Sequence, residues 1–293
     1  MVGDAGKARS ASTCEAPACG SLPTAEALDG APAEVRGDIS TRLSDLHCHL
    51  DFAGNARELA CGLADCGTEC LSVTVSPRGF ERAAELLAAF GNVRVGLGLH
   101  PWWVSDGRCG EAEVARFEQL AAGARFIGEV GLDFGARHVA TCETQLAAFD
   151  RVAASCAQGG KVLSIHAVRS AGDVLDALER RHCLEGNACI FHWFSGTSEE
   201  LQRAVGLGCF FSVGERMLAS RRGRAYAQAI PAARLLLETD LPDEGTPHAA
   251  SCDLEASLQR AAALLADVRG ERLDGLIAET SATLLARGAR ASN

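Results

Sequence analysis

Five of the eight histidines in this chain stand at or within two residues of the end of a short apolar segment, and an acidic residue closes two further segments. The residues concerned are His47 and His49, His100, Glu129, His166, His192, and the pair Glu238 and Asp240. Imidazole and carboxylate groups are the usual ligands of catalytic divalent metals. If each segment is a strand of one parallel barrel, these groups meet at one mouth of that barrel. The pattern therefore predicts a hydrolytic metal centre on a barrel rim.

Each position taken alone has a simpler reading, and the joint pattern decides between them. An HxH sequence on a strand places His47 and His49 on the same face. Glu129 lies inside an apolar segment, so its charge must be paired, either with a metal or with a cation such as Arg94. Histidines like His166 and His192 are individually more typical of hydrogen-bonded core residues. Their recurrence at several strand ends favours the metal site.

Strand order divides the predicted ligands into two groups. His47, His49 and Asp240 come from the first and last strands, which become neighbours when a barrel closes, whereas His166 and His192 come from strands on the other side. Glu129 lies between the groups and could bridge two ions, as in two-metal sites that act on phosphate esters. Asp240 would orient the attacking water and accept its proton. Ligand type leaves Zn, Mn, Co, Ni and Mg open, with Mg least suited to imidazole.

Three further residues are predicted to bind substrate. His100 could bind a phosphate, and Trp193 could stack on a base. Arg169, three residues after His166, could orient the substrate or a ligating imidazole, as could Asp133 and Glu238. Trp102 and Trp103 follow His100, and their indoles either stack on bases or pack the loop.

The elements that must position these groups are eight apolar segments, each followed by a stretch with helical periodicity. The segments lie near residues 43–49, 71–75, 93–99, 125–131, 162–166, 188–192, 209–213 and 235–238. Nearly continuous apolar composition is typical of parallel strands buried on both faces. Thr197 and Glu200 form a capping-box pattern at the start of one helix. We therefore predict an α/β fold, a (β/α)8 TIM barrel with the metal site at the carboxyl ends of the strands.

Composition sets the remaining expectations. Residues 42–287 are predicted to form the barrel, preceded by a disordered extension at 1–41, rich in small residues, and followed by a tail at 288–293. Thirteen cysteines, an odd number in a long chain, indicate reduced, buried thiols in a cytoplasmic protein. No apolar run reaches the ~18 residues of a membrane span. A net charge of −10 argues against nonspecific attraction to nucleic acid. Four arginines nevertheless lie close together in the sequence: Arg216, Arg221, Arg222 and Arg224. They could form the solvated start of a helix, or they could contact phosphate groups.

These motifs together resemble the TatD family of metal-dependent deoxyribonucleases, within the amidohydrolase-like barrels. The motifs are DLHCHLD at 45–51, GLHP at 98–101, IGEVGLDF at 127–134, IH at 165–166, FHWFSG at 191–196 and LETD at 237–240. The resemblance implies a two-metal barrel with 3′–5′ exonuclease activity on single-stranded DNA or RNA ends. It also implies one ion held by His47, His49, Glu129 and Asp240, and a second held by Glu129, His166 and His192. Two departures concern substrate handling: Arg169 is one residue later than in many members, and Trp193 stands where cysteine is common.

Two alternatives remain open. One is a metal-dependent hydrolase of a small ester, amide or lactone. Relatives of that kind commonly use a carboxylated lysine on strand four, where this chain has Glu129 and its nearest lysine, Lys161, begins strand five. The other is a metal-binding adaptor in a defence complex, for which loss of a ligand would be expected and is not seen. The sequence does not indicate a protein partner.

Overall fold

The computed structural model describes residues 42–287, and the predicted extension at 1–41 and tail at 288–293 lie outside these residues. Eight strands form one sheet in chain order, and every neighbouring pair is parallel. They are β1 (Ser44–Cys48), β2 (Glu69–Val73), β3 (Val93–Leu99), β4 (Phe126–Asp133), β5 (Val162–Val168), β6 (Ala188–His192), β7 (Phe210–Val213) and β8 (Leu235–Leu237). The predicted eight-stranded barrel is confirmed.

Helices alternate with the strands along the chain. They are α1 (Ala56–Cys66), α2 (Pro77–Leu87), α3 (Pro101–Ser105), α4 (Glu111–Ala121), α5 (Cys142–Ser155), α6 (Ala171–Arg180), α7 (Ser198–Gly206), α8 (Glu215–Leu218), α9 (Arg221–Ala229), α10 (Ser251–Arg269) and α11 (Asp274–Ala286). The predicted capping box is present at α7, where Thr197 and Glu200 satisfy each other's backbone N–H groups. Among residues 42–287, no helix is both long and apolar enough to cross a membrane.

The strands are buried almost throughout, which explains their continuous apolar composition. All eight residues of β4 are buried, including the charged Glu129 and Asp133. The apolar side chains of the strands pack under the surrounding helices, with Phe191 and Phe211 among the largest fully buried groups. Polar side chains gather at the carboxyl ends of the strands, so the fold has an apolar body and one polar mouth.

Glycine permits a close approach between β3 and the chain after β2. A Cβ atom added to Gly98 would lie 1.6 Å from the carbonyl oxygen of Thr74, a distance that no side chain can adopt. Gly96 and Gly128 meet similarly on β3 and β4, where an added Cβ would lie 2.7 Å or less from the opposite backbone. The glycines in these segments are therefore required by strand packing.

The seam between the last and the first strand is closed by residues that follow β8. The backbone N–H of Asp240 donates to the carbonyl of His47 at 2.9 Å, and the N–H of His49 donates to Leu241 at 2.8 Å. Buried Asp45 reinforces the seam, because its Oδ1 accepts the N–H groups of His47 and Thr239 and its Oδ2 accepts the Thr239 hydroxyl at 2.6 Å. Two predicted ligands, His47 and Asp240, are thus fixed by the same contacts that close the barrel.

The eleven cysteines among residues 42–287 are all free thiols, as expected, and seven are buried. Cys61, Cys66 and Cys252 are exposed, so the expectation of buried thiols is wrong for these three.

Candidate metal centre

The six predicted metal ligands converge at the carboxyl ends of the strands. Five are buried and Asp240 is one-fifth exposed at its side chain. A cavity of about 530 Å³ opens above them and is lined by His49, His100, Glu129, His166, His192 and Asp240. His47 lies beneath this lining, fully buried.

One oxygen of Glu129 faces the histidines of β1. Glu129 Oε2 lies 3.8 Å from His47 Nε2 and 3.5 Å from His49 Nε2, and Asp240 Oδ1 lies 3.5 and 3.4 Å from the same two nitrogens. Ligands bonded at about 2.1 Å to one four- or six-coordinate ion are roughly 3.0–3.5 Å apart. The atoms of His47, His49 and Glu129, which lie within 4.8 Å of one another, could therefore hold one ion, and Asp240 Oδ1 lies within 3.5 Å of both nitrogens.

The other oxygen of Glu129 faces the histidines of β5 and β6. Glu129 Oε1 lies 3.0 Å from His166 Nδ1 and 3.1 Å from His192 Nε2, and these two nitrogens are 3.3 Å apart. The three atoms could hold a second ion. Each oxygen of one carboxylate thus serves a different pair of imidazoles.

His100 also approaches Glu129, but its hydrogen bonds make it a donor to that carboxylate rather than a metal ligand. Its Nε2 lies 3.0 Å from Glu129 Oε1, and His100, Glu129 and His166 offer ligand atoms within 4.8 Å of one another. Its Nδ1, however, accepts the backbone N–H of Trp102 at the start of α3, and burial lowers the pKa of the ring. The neutral ring therefore carries its proton on Nε2 and donates it to Glu129. His100 is a hydrogen-bond donor in this arrangement, without a free lone pair for a metal.

The remaining ring nitrogens are held by partners outside the centre. His49 Nδ1 lies 3.1 Å from the carbonyl of Val73, which can only accept, and His47 Nδ1 lies 2.7 Å from the hydroxyl of Ser164. The Val73 carbonyl places the His49 proton on Nδ1, and the same tautomer at His47, with the Ser164 hydroxyl as acceptor, leaves Nε2 of both neutral rings free to bind a metal. Within the described part of the chain, His47 Nε2 is a buried nitrogen without a hydrogen-bond partner. A buried polar atom left in this way, facing two carboxylates, is what a metal ligand requires.

Two carboxylates lie beside the histidines of the second group, and one of them forms a hydrogen bond. Asp133 Oδ2 accepts from His166 Nε2 at 3.1 Å, which directs Nδ1 toward Glu129. Glu238 Oε2 lies 3.8 Å from His192 Nδ1 and is itself hydrogen-bonded by Ser212. Both carboxylates were predicted as outer groups around the ligands, and both lie beside the imidazoles they would orient.

The electrostatics of the centre keep the carboxylates of Glu129 and Asp240 ionised. Burial opposes the charge of Glu129, but His100, His166 and His192 more than offset it and hold its pKa well below the ordinary value. Burial likewise opposes the charge of Asp240, and the nearby imidazoles of His47, His49 and His192 lower its pKa. The pKa of His192 is raised well above its ordinary value because Glu129 and Glu238 outweigh the effect of burial.

His47 behaves in the opposite way. Burial, together with repulsion from His192, lowers the pKa of His47 to about 3, so that its ring is neutral. The metal-free centre is therefore a network of ionised carboxylates and imidazoles that share protons unequally.

The predicted substrate residues are distributed around the mouth. Trp193 lines the cavity, is 37% exposed and has a left-handed backbone, with φ at 38°. Arg169 also has positive φ, at 56°, but it is exposed and does not line this cavity, so its role stays a prediction. Arg94 pairs with Glu69, which excludes it as the partner of Glu129.

The arginines that follow β7 make different contacts. Arg216 lines the cavity, with Nη1 3.5 Å from Asp240 Oδ2 and Nη2 3.1 Å from Asp243. Arg222 donates to the carbonyl of Gly196 and so fixes the loop that carries Trp193. Arg224 pairs with Asp267 away from the mouth. Only Arg216, among these three, faces the metal centre.

Several contributing residues were not recognised from the sequence. Asp45 and Thr239 pair across 194 positions, and nothing in the pattern indicates this contact. Ser164 could have been found, because a serine inside the apolar segment before His166 needs a polar partner. The bond between Trp102 and Asp133 was also missed.

A closed parallel barrel with imidazoles and carboxylates at the carboxyl ends of its strands defines a class, the metal-dependent hydrolases of TIM-barrel fold. The model of one family in this class, TatD related DNase, matches residues 44–285, which is most of the chain. The chain belongs to this family and is a metal-dependent hydrolase of ester bonds.

Individual relatives agree with this assignment. The chain is 36% identical over 199 residues to the 3'-5' ssDNA/RNA exonuclease TatD of Klebsiella pneumoniae, covering 64% of this chain and 73% of the relative. It is 30% identical over 246 residues to the protein of the same name from Shigella flexneri, covering 80% and 92%. Its fold is similar to that of the TatD homolog YjjV from Escherichia coli, with a TM-score of 0.64, 25% identity and coverage of 84% and 97%.

Proposed function

We propose that this protein hydrolyses phosphodiester bonds at the ends of single-stranded DNA or RNA, with two divalent metal ions bound by the six converging residues. We infer digestion from the 3′ end, because similar proteins bear the name 3'-5' ssDNA/RNA exonuclease.

The observation that carries the two-ion proposal is the position of Glu129. Its Oε2 lies 3.5 Å from His49 Nε2, and its Oε1 lies 3.0 Å from His166 Nδ1. A carboxylate whose two oxygens face two separate donor sets is suited to bridge ions about 3.5–4 Å apart, the separation in two-metal phosphoesterases. His47, His49 and Asp240 would complete the first ion's site, and His166 and His192 the second.

The bound ions would supply Lewis acidity, which lowers the pKa of a water and stabilises charge on the attacked phosphate. Asp240 would orient that water and accept its proton, and its depressed pKa keeps it ionised for this task. Arg216, 3.5 Å from Asp240 Oδ2, would contact a phosphate oxygen of the substrate. The P–O bond to the 3′ oxygen of the shortened strand breaks, and a nucleoside 5′-monophosphate leaves.

Other residues at the mouth would hold the strand. Trp193 presents a half-buried indole that a base could stack on. His100 would direct its Nε2–H to Glu129 or to a phosphate oxygen, since it lines the same cavity. We keep Arg169 as a contact for the strand outside the cavity.

The test uses metal-stripped protein refilled with Mn²⁺, Mg²⁺ or Zn²⁺ and single-stranded DNA labelled at either the 5′ or the 3′ end. We expect a ladder that shortens from the 3′ end only when metal is present. Replacing the predicted proton acceptor in Asp240→Asn should reduce the rate by about 10²–10⁴-fold. Asp243→Asn is the matched control, because Asp243 is an exposed carboxylate at the same mouth that faces Arg216 rather than the histidines.

Two outcomes would contradict the proposal. Two equivalents of metal bound without cleavage of DNA or RNA would instead favour a small-molecule ester as substrate. Equal loss of activity in both aspartate variants would show that charge at the mouth matters and would remove the specific role of Asp240.

A further inference from the structure

Trp102 connects the rim of the cavity to the metal centre. It is the second residue of α3, and 44% of its surface is exposed although it lines the cavity. The ring of His138 stacks on it, with centroids 5.4 Å apart and planes 13° from parallel. The indole is therefore supported from one side and accessible at the mouth, which is the form of a stacking platform.

The indole nitrogen of the same residue reaches inward. Trp102 Nε1 donates to Asp133 Oδ2 at 2.5 Å, and that same oxygen accepts from His166 Nε2 at 3.1 Å. The other oxygen of Asp133 accepts the backbone N–H of Gly135 at 2.7 Å. One buried carboxylate oxygen thus joins an exposed ring to a predicted metal ligand.

We propose that Trp102 is a positioning residue whose exposed ring takes a nucleobase of the substrate and whose N–H holds Asp133, and through it His166, in the orientation that binds metal. The base-binding half of this inference rests on the proposed function. The positioning half rests only on the metal-binding part of that function, in which His166 is a ligand, and not on the choice of substrate.

Two substitutions separate the halves. Trp102→Phe keeps an aromatic ring and removes the N–H donor, whereas Trp102→Ala removes both. Trp193→Phe is the matched control for metal binding: it also replaces an indole at the mouth, and among the described residues the Trp193 indole donates no hydrogen bond. Because Trp102 is nearly half exposed, we expect thermal melting of the metal-free Phe variant to match the wild type.

The first measurement is calorimetric titration of metal-stripped full-length protein with Mn²⁺. Loss of an outer partner typically weakens metal binding 10–100-fold. Since Trp102 acts through Asp133, we expect about tenfold weaker binding at one of the two sites in Trp102→Phe and unchanged affinity in Trp193→Phe. Wild-type Mn²⁺ affinity at both sites in Trp102→Phe would overturn the positioning role.

The second measurement is binding of a phosphorothioate single-stranded oligonucleotide, which resists cleavage, to the proteins at saturating Mn²⁺. We expect Trp102→Phe to bind within a few-fold of the wild type and Trp102→Ala to bind about 5–150-fold more weakly, the range for loss of one base–aromatic stack. Wild-type affinity in Trp102→Ala would overturn the platform. If the wild type binds the oligonucleotide at no concentration, the proposed function fails, and the Mn²⁺ titration still decides the positioning role.

Discussion

The seam of the barrel offers a quantitative test, because one buried side chain reinforces its backbone hydrogen bonds. Asp45 is 1% exposed and accepts three hydrogen bonds: two at Oδ1 from the N–H groups of His47 and Thr239, both at 3.1 Å, and one at Oδ2 from the Thr239 hydroxyl at 2.6 Å. We consider two substitutions, Asp45→Ala and Asp45→Asn. The first removes every acceptor, and the second removes only one.

The expected magnitudes follow from the number of donors left without a partner. Each unsatisfied buried donor costs about 1–3 kcal/mol. Asp45→Ala leaves two backbone N–H groups without an acceptor, whereas the Thr239 hydroxyl can rotate to another partner. This variant should lower the free energy of unfolding by about 4 kcal/mol. Asp45→Asn keeps Oδ1, and its amide can donate to the Thr239 oxygen, so about 1 kcal/mol is expected.

Ionisation of Asp45 supports the asparagine estimate. Burial raises its pKa to about 7, although the hydrogen bonds from Thr239 and His47 oppose the rise. A carboxyl group that is partly protonated at neutral pH resembles a neutral amide more closely than an ionised carboxylate does. Replacing it with asparagine therefore removes little charge interaction.

The assay is urea unfolding of the metal-stripped proteins, followed by circular dichroism, so that metal binding does not add to the stability. Asp176→Ala is a suitable control, because Asp176 is an exposed carboxylate paired with Arg203 and should matter by less than about 0.5 kcal/mol. The reasoning is refuted if Asp45→Ala unfolds within about 1 kcal/mol of the wild type, or if the Asn variant is as unstable as the Ala variant.

Three further predictions concern the centre and the strands that carry it. Because the pKa of His192 is raised above 6.5, the metal-free protein should lose stability as pH rises through that raised value, whereas saturating Mn²⁺ should abolish the loss. Melting temperatures across pH 6–9 test this, and parallel curves with and without metal would contradict it. Ser164→Ala removes the hydrogen-bond partner of His47 Nδ1 and should weaken Mn²⁺ binding about 10–100-fold, measured by calorimetry, with unchanged affinity as the contrary result. Gly98→Ala forces a Cβ against the Thr74 carbonyl and should destabilise the fold by more than about 3 kcal/mol, so that a folded variant with wild-type melting temperature would disprove the packing argument.

The strands and the ligand positions could be predicted because both depend on local patterns. A buried parallel strand has a continuous apolar composition, and its last residues must lie at the barrel mouth whatever the rest of the chain does. His166 and His192 each follow such a segment, and both are found at the mouth. The order of the strands also indicated correctly that Glu129 lies between two groups of donors.

What escaped prediction depends on contacts between distant elements or on the path of a single loop. The donor role of His100 follows from the cap of α3, where the N–H of Trp102 occupies Nδ1. Arg169 has a left-handed backbone and lies outside the cavity lining, although it is predicted to orient the substrate or a ligating imidazole. Neither feature has a periodicity, so neither leaves a signal in a single sequence.

The centre also explains why so many imidazoles are tolerated around one buried carboxylate. In the metal-free protein, Glu129 Oε1 has three imidazole nitrogens within 3.1 Å, and a raised pKa at His166 and at His192 supplies the protons that keep this cluster attractive. A dication bound to the same nitrogens would supply positive charge in place of those protons, which would be released. His100 differs, since its only free proton is on Nε2 and its Nδ1 is engaged by the backbone. Under the proposed function, metal binding would exchange protons for ions at these nitrogens and would leave one N–H donor beside Glu129 for a phosphate of the substrate.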